Sequence, residues 1–72
     1  MIHVGLIQIL ERKGSLTDSE LYDFLKEDYG DLEFGELNRT LMKLEIRGII
    51  HVSSITKDKK RIELVDKDHS KN

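Results

Sequence analysis

The groups of this chain that can do chemistry are three histidines, fourteen carboxylates and twelve Lys and Arg side chains, and their spacing decides what that chemistry is. Metal ligation asks for donors brought onto one face, as by two histidines four residues apart on a helix. His3, His51 and His69 stand far apart and form no such pair. Carboxylates crowd together in "EDYGDLE", Glu27 to Glu33. The alternating oxygen register of a calcium loop is missing there, and the central glycine suits a helix cap and turn instead. Cysteine is absent, which removes disulfides and thiolate metal sites. Neither a glycine-rich phosphate loop nor a nucleophile elbow occurs. The expectation is a protein that is not an enzyme, with no metal, no cofactor and no small-molecule substrate.

What remains is fixed positive charge. The run "KDKKR", Lys57 to Arg61, gathers four of the twelve Lys and Arg residues in a chain whose net charge is −2. Cations grouped in this way neutralise phosphates. They also keep a hairpin tip soluble and guard strand edges against pairing. Which role applies depends on the elements that hold them.

Those elements can be read from periodicity. Ile2, Leu6, Ile9 and Leu10 recur at helical spacing, Arg12 and Lys13 suit the negative end of the helix dipole, and Gly14 ends the helix. After a short extended link at Ser15–Leu16, "TDSE" is a capping box in which Thr17 and Glu20 satisfy each other's backbone N–H groups. Leu21, Phe24 and Leu25 form the apolar stripe of this second helix, with Tyr22 and Tyr29 expected to bury their rings at its edge and Gly30 to close it. Asp31 is placed to cap a third helix, whose core face is Phe34, Leu37, Leu41 and Leu44 and whose stop is Gly48. The period then changes to two: Ile50 and Val52, then Ile62 and Leu64, alternate with polar residues. This is a hairpin with the basic run as its connecting loop. Residues 1–65 form one domain and 66–72, with no apolar residue, a disordered tail.

A chain of 72 residues buries only about 60–65% of its unfolded surface, so its core must be efficient or shared. Charged residues at 36% and hydrophobic ones at 38% suit a soluble globular chain. No stretch reads as a membrane span or a signal peptide, which makes the cytoplasm the expected location. One Gln and two Asn beside abundant Lys, Glu and Ile is a thermophile's balance.

The order helix, extended link, helix, helix, hairpin resembles the winged-helix variety of helix-turn-helix domain, as small stand-alone archaeal-type members show it. The local match is "LNRTLMKLEIRGIIHV", with Leu37, Leu41, Leu44, Gly48, Ile49 and Ile50 in the pattern of a third helix running into the first wing strand. The resemblance covers residues 2–65 and implies an α+β, mainly α fold of three helices and a two-stranded wing. It departs from the family in a short wing loop without glycine. It also implies double-stranded DNA as partner and transcription regulation or chromatin association as role. Asn38, Arg39, Lys43 and Arg47 would lie at the major groove, and Lys57, Lys59, Lys60 and Arg61 on phosphates.

Charge is strongly segregated along the chain. Thr17 to Glu36 carries eight acids against Lys26 alone, −7, whereas Leu37 to Val65 carries seven bases against three acids, +4. The second half therefore matches the implied DNA-facing side, and the acids of the first half, Glu33 and Glu36 included, repel phosphate. An approach through the C-terminal half of the third helix and the wing avoids them.

A rival reading starts from the outer face of the third helix. Opposite the core stripe lie Gly35, Arg39, Met42 and Ile46, and two apolar side chains there suit a protein interface, are incidental, or touch thymine methyls. Val4 and Ile7 flank the core stripe of the first helix and either pack within the chain or join a homodimer interface. A winged-helix adapter that binds protein through the Met42/Ile46 face is the alternative to DNA binding.

Overall fold

The computed structural model describes residues 2–65. Three helices, α1 (His3–Lys13), α2 (Asp18–Tyr29) and α3 (Phe34–Ile46), precede the hairpin strands β2 (Ile50–Thr56) and β3 (Lys59–Leu64). This is the expected winged-helix topology. The link between α1 and α2 does more than connect them: Leu16–Thr17 forms β1, antiparallel to β3, with Leu16 opposite Ile62 and Thr17 opposite Arg61. The sheet therefore has three strands in the order β1-β3-β2. The expected tail, 66–72, lies outside the described residues.

Helix ends follow local chemistry. Gly14 closes α1 at φ 82° and Gly30 closes α2 at φ 68°, a region that a side chain makes costly. The capping box is complete: Thr17 N–H donates to Glu20 Oε1 (3.0 Å) and Glu20 N–H donates to Thr17 Oγ1 (3.1 Å). The cap expected from Asp31 is corrected. The residue before α3 is Glu33, and its side chain makes no capping bond. Asp31 N–H instead turns back to the Tyr29 carbonyl, and Leu32 drops into the core at 4% exposure, so the chain runs on before it coils.

Among the described residues, twelve apolar side chains make the core: Ile2 just before α1, Leu6, Ile9 and Leu10 within it, Leu21 and Leu25 of α2, Leu32, then Leu37, Leu41 and Leu44 of α3, and Ile50 and Ile62 of the sheet. Phe34, assigned to the core face of α3, sits at its first turn and is exposed; its ring packs edge-on to Tyr22, centroids 5.3 Å apart. Tyr22 is half-buried and its hydroxyl donates to the Leu32 carbonyl (2.9 Å), pinning the loop before α3. Tyr29, expected to bury its ring, is exposed and lies across Gly5 of α1, where a Cβ would come within 2.6 Å of the hydroxyl oxygen.

The hairpin differs most from expectation. The basic run is not its loop, because the strands continue to Thr56 and from Lys59, leaving Lys57-Asp58 as a two-residue turn. Asp58 N–H donates to Thr56 Oγ1 (3.3 Å) there. An irregularity between Ser54 and Thr56, where β2 has one residue more than β3, gives the ribbon a β-bulge at Ile55. Beyond Val52 and Ile62 no core lies beneath the ribbon, so apolar alternation stops while strand pairing goes on.

Candidate nucleic-acid interface

Side chains alternate across a strand, so pairing register fixes which way each wing cation points. Lys60 shares the face of Ile62 and Leu64, the face that meets the helices, and pairs with Ser54 of β2. Lys59, Arg61 and Glu63 lie on the opposite face, where Arg61 stands in register between Thr17 and Ser53. Lys57 is at the turn. The four cations therefore divide between two faces and a tip, and only Lys60 is turned toward α3.

On α3, at about 100° per residue, the buried Leu37, Leu41 and Leu44 set the inward direction. Gly35, Arg39, Met42 and Ile46 then point outward. The Arg39 guanidinium extends along the helix to within 3.7 Å of a Cβ position at Gly35, and the glycine leaves that surface open. Met42 is 60% exposed and Ile46 82%. On one flank, Asn38, Met42 and Glu45 meet Val52 and Lys60 across a groove of about 240 Å³. On the other flank, Thr40, Lys43 and Arg47 meet His3, at the start of α1, around a second groove of about 230 Å³.

The structure thus brings Asn38 to Lys60, and Lys43 to Arg47. It does not bring Lys59 or Arg61 to either group. His3 and Thr40 were not singled out as site residues, and no local spacing could have done so, because tertiary packing alone joins the first turn of α1 to the last turns of α3. Thr40 Oγ1 donates to the Glu36 carbonyl (3.0 Å), an ordinary way for a mid-helix threonine to be satisfied. Of the candidate interface residues on α1, Ile7 is half-buried and Val4 is 56% exposed.

The chain is matched by no family model, no curated protein and no solved structure.

Chemistry elsewhere is sparse. Among the described residues, no three His, Cys, Asp or Glu side chains gather as a metal site would require. A groove between α1 and α2 is lined by Glu11, Arg12, Asp28 and Tyr29, of mixed charge and open. Asp18, the buried acid, accepts from the Ser19 N–H (2.9 Å) at the start of α2, where the helix dipole favours a carboxylate. No described helix is long and apolar enough to cross a membrane.

Proposed function

We propose that this protein is a small winged-helix DNA-binding protein that contacts duplex DNA through the C-terminal half of α3 and the wing, as a transcription regulator or chromatin-associated factor. The observation that carries the reading is the exposed stripe of Arg39 and Lys43 on α3 and Arg47 at its C-cap, with Lys60 of the wing across a groove from Asn38. The helix exposes a face that fits a major groove about 12 Å wide, and cations on its borders meet phosphates. Asn38 and Arg39 are the groups able to read base edges; Lys57, Lys59, Lys60 and Arg61 set position through charge. The split of wing cations between two faces means that few of them reach one backbone, so affinity is modest and steeply dependent on salt.

Fluorescence anisotropy with a random 20-base-pair duplex tests this. Binding at low salt is expected, with affinity falling linearly in log–log form as salt rises. Replacing Lys57 and Lys60 by Gln is expected to weaken binding to every sequence alike and to make the slope shallower. An absence of binding by the wild type at low salt overturns the reading.

A second reading has its own observation. Met42 and Ile46, at 60% and 82% exposure on the outer face of α3, form a surface on which a protein partner or a second copy can gain by burial. In this adapter reading, Met42→Glu abolishes oligomerisation or partner capture while the monomer stays folded. A Met42→Glu variant of wild-type mass and wild-type partner binding removes it.

A further inference from the structure

The groove on the α1 side of α3 is not part of the wing and faces away from it. Its polar lining is His3, Thr40, Lys43 and Arg47, with no carboxylate among the residues that form it. The wing-side groove differs, for a carboxylate, Glu45, lines it along with Lys60. In a chain that carries more acids than bases, a recess walled by two fixed cations and an imidazole is a local exception. All three of those side chains are exposed, so their donors are open to a ligand.

We propose that this recess is a second phosphodiester site, so that α3 is straddled by two phosphate contacts: the wing on one side, and His3, Lys43 and Arg47 on the other. The inference rests on the DNA-binding reading and deepens it by fixing how the helix sits. A helix in the major groove has a sugar-phosphate wall on each side, and a protein with cations on one flank only meets one wall. Lys43 and Arg47, a single helical turn apart, reach along one strand's phosphates, with His3 donating from the adjoining first turn of α1. This also gives the first turn of α1 a task that its lack of acidic residues permits.

The test is a gain of charge inside the recess compared with the same gain outside it. His3→Lys adds a fixed cation to the recess. Gln8→Lys adds one to the same helix but beside Asp28 and Tyr29, on the groove facing α2. Salt titrations of duplex binding are read as slopes, each phosphate contact contributing about 0.9, or about a 3.5-fold change in affinity for a fourfold change in salt. His3→Lys is expected to steepen the slope by about 0.9, Gln8→Lys to leave it unchanged, and Lys43→Gln with Arg47→Gln to make it shallower by about 1.8. Equal gains from His3→Lys and Gln8→Lys overturn the second site while the wing-side contact stands, whereas an unchanged slope in the Lys43/Arg47 double variant overturns the second site together with the α3 stripe on which the DNA-binding reading rests. If neither the wild type nor any variant binds duplex, the DNA-binding reading itself is what fails, and the recess falls with it.

Discussion

Two tyrosines of the same helix, α2, do different physical work. The Tyr22 hydroxyl donates to the Leu32 carbonyl at 2.9 Å in a part-buried setting, and Lys26 Nζ lies 5.6 Å from its ring centroid. Tyr22→Phe leaves that carbonyl without its donor, so it is expected to cost about 1 kcal/mol. The hydroxyl of Tyr29, on an exposed ring over Gly5, makes no comparable bond among the described residues, and Tyr29→Phe is expected to leave stability within about 0.5 kcal/mol of wild type. Urea denaturation of the two variants side by side checks the pair of values. Equal losses would mean that the Leu32 bond does not hold the loop before α3. The sequence offers no means of ranking these tyrosines. Both flank an apolar stripe, and the carbonyl that separates them belongs to a loop whose path depends on Leu32 being buried.

Among elements, the N-terminus of α2 was fully legible and the wing was not. A capping box is encoded by residues three apart, so Thr17 and Glu20 announce it without any knowledge of the fold. Thr17→Ala removes the hydroxyl that accepts from Glu20 N–H and is expected to destabilise the protein by about 1 kcal/mol. For a domain of this size that lowers the melting temperature by about 4–8 °C, which calorimetry reads directly. The helix stripes were legible for a similar reason, since Leu6, Leu21, Leu37 and their periodic neighbours declare buried faces locally. The pairing of Leu16 with Ile62 was hidden because a two-residue strand has no period to detect. The distal wing was hidden because Lys59 to Arg61 lack apolar alternation. They form a strand through backbone pairing with Ser53, Ser54 and Thr56, not through burial. The consequence for function is direct: a loop would have let the basic residues gather on one side, whereas a strand separates Lys60 from Lys59 and Arg61.

At the scale of the molecule, charge is distributed so that its parts act separately. The longest dimension is 41 Å, whereas the Debye length is about 10 Å at 0.1 M salt. Carboxylates on α2 that face away from α3 therefore contribute little at a duplex lying on α3, despite the −7 total of that segment. Glu33 and Glu36 differ, since they sit immediately before α3 and in its first turn, on the same element that meets the duplex. Neutralising them as Glu33→Gln with Glu36→Gln is expected to tighten duplex binding several-fold at 50 mM salt, with the gain shrinking by 200 mM as screening takes over. Asp23→Asn with Glu27→Gln, the same change in net charge on α2, is expected to give a smaller gain at 50 mM. Anisotropy titrations of the two double variants at both salt concentrations decide the matter. Equal gains would show that net charge alone governs binding. A larger gain from the Glu33/Glu36 pair would mean that the duplex lies along α3, close enough to the helix start for those carboxylates to limit how far it extends beyond the cationic C-terminal half.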